Sequence, residues 1–380
     1  MKTEKTILTA GPSITRREIA YVLDAVEHGW NEEWNKYIQR FEDAFAEQVG
    51  VEHALSTSSC TGALHLALKA LEIGPGDEVL VPECTWVATA SAVTYVGAKP
   101  VMVDVQADTW CMDPEAAERA ITSRTRAMIP VHLYGQPADM LRLVPLARSR
   151  GLAIIEDAAP ALGATIRTAA GWRPVGGFGD IACFSFQGAK IMTTGEGGMA
   201  VTASKALFER MRFYNEHGRA TGGKAFEIAE VGFKYKMSNI QAALGLGQLE
   251  RIDELVGKKR TILEWYRERL GNIPGLAFNA QNSWSRGIAW MSSVILDSER
   301  HPAREEVCRR MKAMGVDTRP FFPPLSSFPM FTTAAGSGPV AARLGACGIN
   351  LPSGHNLTEA DIDRVAMAFR AALKPARAAA

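Results

Sequence analysis

An excess of charge of either sign is missing from this chain: 42 Lys and Arg stand against 41 Asp and Glu, a formal net charge of +1 over 380 residues. No global field is therefore expected to recruit nucleic acid or an anionic membrane surface. No block of five or six like charges supplies a local one. Also missing is any run of about 18 apolar residues able to span a bilayer. The N-terminal sequence MKTEKTILTAGPSITRREIAYVLDAV has no apolar stretch of the kind a secretory signal carries. Cysteine is scarce. The six present (Cys60, Cys84, Cys111, Cys183, Cys308, Cys347) show no CxxC pair and no metal-ligand spacing, which argues against a disulfide framework or a zinc site. These absences predict a soluble cytoplasmic protein with reduced, mostly buried thiols and no membrane, metal or nucleic-acid partner.

What is present is core material. With 47% hydrophobic residues and this length, a large domain with a smaller companion is expected. From about residue 50 to 205, short runs rich in Val and Ile alternate with helical patterns. The runs are ALSTS (54–58), EVLVP (78–82), PVMVDV (100–105), AMIPVHL (127–133), AIIED (153–157), IACFSF (181–186) and MAVT (199–202), with amphipathic stretches such as GALHLALKAL (62–71) between them. Apolar strands bounded by helices predict an α/β fold with a mainly parallel sheet covered on both faces. A single helix is predicted from the cap at Ser238–Asn239 to about Leu270, interrupted only at Gly257. After it, a strand in IAWMSSVIL (288–296) and helices in 305–314 and 359–372 form a small α+β unit, ahead of a frayed Ala-rich tail. The division is expected at 1–255 and 256–380.

Parallel sheets bind ligands at the carboxyl ends of their strands, and four positions there carry chemistry. In SSCTGA (58–63) a strand turns into a helix, whose first N–H groups and positive dipole end suit a phosphate. Cys60 and Thr61 would supply those N–H groups, although an ordinary helix cap has the same pattern. Asp157 closes AIIED, and a carboxylate carried toward the core needs a cationic or hydrogen-bonding partner. A protonated pyridine nitrogen is one such partner; a metal ion or a simple cap is another. Lys190 lies in FSFQGAKIMTTGEGG (184–198), between an apolar strand and Gly195, Gly197 and Gly198. A Schiff base needs an amine that is neutral near pH 7, which burial favours; a lone lysine is otherwise a solvated surface charge. Ser185, five residues earlier, is within reach of a phosphate. Trp86, in PECTWVAT (82–89), offers a flat face to a flat ring or else fills the core. A phosphate cradle, a stacking aromatic, a carboxylate for a ring nitrogen and a Schiff-base lysine are together the contacts that pyridoxal phosphate requires.

At these motifs the chain resembles the DegT/DnrJ/StrS family of sugar aminotransferases, fold-type I enzymes that depend on pyridoxal phosphate. The resemblance covers nearly the whole chain, through GPGDEVLVP (74–82), YVGAKPVMVDV (95–105), PVHLYGQPADM (130–140), EDAA (156–159), TGEGG (194–198) and MSNIQAALG (237–245). Near the C-terminus, DTRPFF (317–322) and NLPSGHNLT (350–358) are similar to the branch containing the perosamine synthases. It implies a homodimer with active sites at the subunit interface. It also implies Lys190 as the Schiff-base lysine, Asp157 as the pyridinium partner, Trp86 as the stacking aromatic, and Ser185, Cys60 and Thr61 as phosphate contacts. Glutamate or glutamine is the implied amino donor, and a nucleotide-linked keto-deoxy sugar or a keto-cyclitol the acceptor. Family members that dehydrate keto-deoxy sugars carry histidine in place of the lysine, so Lys190 argues for amino transfer. A DNA-binding regulator of the same fold would need a basic segment that this chain lacks.

Several positions depart from the family pattern. Cys60 stands where glycine is common, and Pro160 where Gln, His or Glu often contacts the cofactor. Lys234, in GFKYKM (232–237), stands where an Asn often reaches the cofactor phosphate of the neighbouring subunit; a lysine there is expected to do so with a full charge. Pro323 and Ser326 replace a Tyr and a His, at positions expected to line the acceptor pocket. Arg319 is expected to grip an anionic group of the donor or the sugar nucleotide, or to form an interdomain salt bridge.

Overall fold

All seven apolar runs named from the sequence become neighbours in one sheet. The structure, a computed structural model, describes residues 6–219, 227–332 and 338–374; the Ala-rich end at 375–380 lies outside the described residues. The strands of that sheet are β1 (His53–Thr57), β2 (Glu78–Pro82), β3 (Lys99–Val103), β4 (Thr125–Met128), β5 (Ala153–Asp157), β8 (Ile181–Ser185) and β9 (Gly198–Thr202). Between β5 and β8 lie β6 (Thr165–Thr168) and β7 (Gly171–Pro174), which form a separate sheet with β11 (Ser285–Arg286). The large sheet has the order β1-β9-β8-β5-β4-β2-β3. Its pairs are parallel except that β9 runs antiparallel to both neighbours. No helix separates β8 from β9, and a turn without a crossover returns the chain in the opposite direction.

Alternation within the strands covers both faces. Leu80 and Ile154 point into one apolar cluster, and Val79, Val81 and Ile155 into the other. The first cluster is completed by α1 (Arg16–His28), α2 (Lys36–Val49), α5 (Pro114–Ala120), α6 (Met140–Ser149) and α8 (Asn239–Leu249). The second is completed by α3 (Cys60–Ala70), α4 (Ala88–Tyr95) and α7 (Lys205–Asn215). Strand β4 ends earlier than its apolar run. Pro130 has no N–H for a ladder, only a single bridge forms at Val131, and the chain then turns through Leu133–Gly135.

The remaining strands, β10 (Leu276–Phe278), β12 (Ser292–Leu296), β13 (Arg319–Pro320) and β14 (Gly348–Leu351), make an antiparallel sheet in the order β10-β12-β14-β13. Val294, Ile349 and Leu351 pack there against Ile262 and Tyr266 of α9 (Ile252–Leu270), Val307 and Met311 of α10 (Arg304–Ala313) and Phe369 of α12 (Glu359–Ala372). A further helix, α11 (Pro339–Cys347), leads into β14.

One expectation is corrected. The single long helix is two, broken at Glu250–Arg251 and not at Gly257, which lies inside α9. At the break Arg251 leaves helical geometry (φ −116°, ψ 16°), and its buried guanidinium meets Glu18, 2.6 Å away and distant in sequence, the residue that completes the capping box of α1. The N-terminal segment hydrogen-bonds to residues near 315 and 353. Ile7 N–H donates to Gly315, Asp317 N–H to Ile7, and Ser353 N–H to Thr9. Among the described residues no helix is long and apolar enough to cross a membrane.

Candidate active site

The carboxyl ends of β1, β2, β5 and β8 share one edge of the large sheet, and a cavity of ≈ 410 Å³ opens there. After β1, Ser59 caps α3 by accepting from Gly62 N–H at 3.1 Å. That leaves the first N–H groups of the helix, on Cys60 and Thr61, at the cavity wall. Gly198 lets the start of β9 lie against this turn: a Cβ there would come within 2.5 Å of Cys60 N. The glycine after TGEG is thus explained by close approach of two backbones.

Asp157 ends β5 and is buried. Its carboxylate accepts from the Thr89 hydroxyl at 2.8 Å and from Ala159 N–H at 3.2 Å. Among the described residues it has no ion-pair partner, although it faces the cavity. Burial raises its pKa above the usual carboxylate range; the two hydrogen bonds and the charge of Lys190 offset this only in part. Directly before it, Glu156 is buried on the other side of the strand. It accepts from His132 at 3.0 Å and from the N–H groups of Gly176, Phe178 and Gly179. Burial acts to raise the Glu156 pKa, but these donors hold it below the usual range. Because His132 Nδ1 accepts from Ala138 N–H, its Nε2 carries the proton given to Glu156. Neither residue was singled out from the sequence; a Glu inside an apolar strand was the available signal.

Lys190 lies in the turn after β8, its N–H donating to Gln187 C=O at 2.8 Å. It is half-buried and lines the cavity. Burial lowers its pKa from the usual lysine value, against the opposing pull of Asp157 and Cys60. Its Nζ rests 3.9 Å from the centroid of the Trp290 ring. The Trp290 indole N–H donates to Ala189 C=O at 2.7 Å. Trp290 comes from the segment before β12, and nothing in its spacing marked it.

Cys60, Thr61, Trp86, Asp157, Ser185, Lys190 and Arg319 all line this one cavity. Trp86 is exposed, with its ring 5.7 Å from that of Phe322. Ser185 ends β8 at the cavity wall. Arg319 is exposed on β13 and makes no ion pair with a described residue. Lys234 is exposed and does not line the cavity of its own chain. Pro323 and Ser326 also stay out of the cavity wall, contrary to expectation. Ser326 is buried with its N–H on Glu83, 2.9 Å away, and Phe322 lines the cavity instead.

The set fits pyridoxal phosphate. A buried carboxylate without a cation suits a protonated ring nitrogen, uncapped helix N–H groups suit a phosphate, and an amine whose pKa burial depresses suits an aldehyde. Pro160, at the wall beside Ala159, offers no side-chain or N–H hydrogen-bond donor to the ring.

The family model of the DegT/DnrJ/EryC1/StrS aminotransferases matches residues 12–370. The chain is 41% identical to a GDP-perosamine synthase of Caulobacter vibrioides over 365 residues, covering 96% of this chain and 97% of that one. It is 39% identical to a GDP-perosamine synthase of Escherichia coli O157:H7, over 92% of this chain and 94% of that one. Among solved structures, S. venezuelae DesV in complex with a ketimine intermediate matches with a TM-score of 0.86 and 32% identity, over 95% of each chain.

Proposed function

Because the chain belongs to the DegT/DnrJ/EryC1/StrS aminotransferase family and is a pyridoxal-phosphate-dependent transaminase, we propose that it moves an amino group from glutamate or glutamine onto a nucleotide-linked keto-deoxy sugar. The observation that carries this reading is the convergence of Lys190, Asp157 and the N-terminus of α3 on one cavity. Bound there, the cofactor supplies an electron sink and carries the amino group between the two substrates. Lys190 would hold it through Nζ, and that amine, when free, would move the proton at the donor's Cα. Asp157, accepting from Thr89 and Ala159, would hold the proton on the ring nitrogen. The N–H groups of Cys60 and Thr61, with the Ser185 hydroxyl, would hold the phosphate. Trp86 would offer its ring to the cofactor, and Arg319 would grip an anionic group of a substrate. The family's relatives named for GDP-perosamine support a sugar nucleotide as acceptor, and we place this activity in a homodimer.

The test is the second half-reaction. Protein loaded with pyridoxamine phosphate is mixed with GDP-linked and other nucleotide-linked keto-deoxy sugars, free keto sugars and keto-cyclitols, and return of the visible cofactor band is followed. Fast return with a nucleotide-linked sugar is expected. Return with keto-cyclitols alone, or with nothing in the panel, would refute the sugar assignment.

A further inference from the structure

A lysine that must leave the cofactor, take a proton and return needs a fixed resting place, and one chain of contacts behind Lys190 has no other evident purpose. Trp290 contributes twice: its ring face lies against Nζ at 3.9 Å, and its indole N–H pins the carbonyl of Ala189, the residue before the lysine. The backbone that delivers it is forced into place. Ala289, directly before it, adopts φ +49°, a left-handed conformation unusual for a non-glycine residue. Gly135 admits this segment closely, since a Cβ there would meet Ile288 at 2.5 Å and Trp290 N at 2.9 Å. Behind the tryptophan, Lys259 of α9 is 2% exposed and donates to Trp290 C=O at 3.0 Å and Ser353 C=O at 2.5 Å. An ammonium buried on two carbonyls, with no described carboxylate in ion-pair range, is costly to keep. Ser353 in turn accepts from Ser292 N–H, the first residue of β12.

We propose that Trp290 is a positioning residue for Lys190, and that Lys259 is the buried anchor that holds Trp290 in place. The indole N–H fixes the backbone from which Lys190 swings, and the ring gives its Nζ a surface to rest on while the donor occupies the cofactor. This rests on the role proposed above for Lys190.

The test uses the cofactor-loaded full chain. Trp290→Phe keeps an aromatic face and removes the indole N–H. The rate of the glutamate half-reaction is expected to fall about five-fold, the equivalent of one hydrogen bond, with the KM for glutamate unchanged. The isotope effect with α-deuterated glutamate rises, because proton removal becomes more limiting. The circular dichroism of the visible cofactor band weakens, because the attachment point is less fixed. Lys259→Met, a swap of similar length made away from the cavity, is expected to shift all three readouts in the same direction, and it carries the test if Trp290→Phe does not load. Wild-type rate, isotope effect and dichroism in the loaded variants would overturn the proposal. Lys190→Ala separates the two levels: normal turnover in that variant would instead defeat the role given to Lys190.

Discussion

The buried ammonium of Lys259 makes a quantitative prediction about stability that no surface lysine would make. Burial alone lowers its pKa from 10.5 to about 7. The nearby His355, pushed to about 3 by burial and by the Lys259 charge, stays neutral throughout the range of interest. The folded pKa lies below the unfolded one, so between pH 7 and 10.5 the unfolded chain holds more protons and stability rises with pH. The contribution is complete above the unfolded value and is lost as pH falls toward about 7. From pH 7 to 9 the linkage amounts to roughly 2 kcal/mol, at about 1.4 kcal/mol per pK unit with the lower end partly titrated. Lys259→Met removes this titration while filling similar volume. Urea midpoints of the two proteins, measured at pH 7, 8 and 9 with equal slopes, should therefore diverge, the wild type gaining on the variant by that amount. Parallel curves would show that Lys259 titrates as an ordinary lysine and that the buried anchor is misread.

Borohydride should fix the cofactor onto Lys190, as read by peptide mapping; an adduct on another lysine would overturn the assignment. Asp157→Asn should retain cofactor yet lose most transamination, because an amide cannot balance the ring charge; the loss should be of the order of several kcal/mol in the transition state, and near-normal single-turnover rates with glutamate would reduce Asp157 to a structural role. Arg319→Ala should raise the KM of one substrate far more than the other, and unchanged KM values with a lowered melting temperature would favour a structural arginine. Lys234, if it reaches the neighbouring subunit's phosphate, should complement in mixed dimers. Lys190→Ala and Lys234→Glu, each impaired alone, should together recover about a quarter of wild-type activity after subunit exchange, since each heterodimer keeps one intact site; no recovery after confirmed exchange would sink the shared site.

The large sheet was legible because its strands are buried on both faces. A run such as AIIED or EVLVP admits few other readings when turns and helical patterns flank it. The site residues were legible because they sit where those runs stop, at the edge where parallel strands present their carboxyl ends. The three-stranded sheet was not. Its strands are two to four residues long and β7 is mostly exposed, so neither apolar content nor alternation marks them. The break between α8 and α9 was hidden for a different reason: Arg251 is a good helix former, and what bends the chain there is Glu18, 233 residues earlier.

The residues behind Lys190 mark where one-dimensional reading runs out, and they also show how far it can be pushed. Trp290 reaches the turn that carries Lys190 from the segment before β12, across about 100 residues, and no local spacing encodes that contact. Its anchor is less hidden. Leu255, Lys259, Ile262 and Tyr266 fall at helical spacing on one face of α9, and the three apolar members are buried there. A lysine in the middle of an apolar stripe must either snorkel to solvent or find acceptors inside. The stripe is buried at both ends of the turn, so the ammonium is committed to carbonyls that only tertiary structure can name. Only the fold supplies what Lys259 holds: the backbone of Trp290, whose ring lies against Lys190 Nζ.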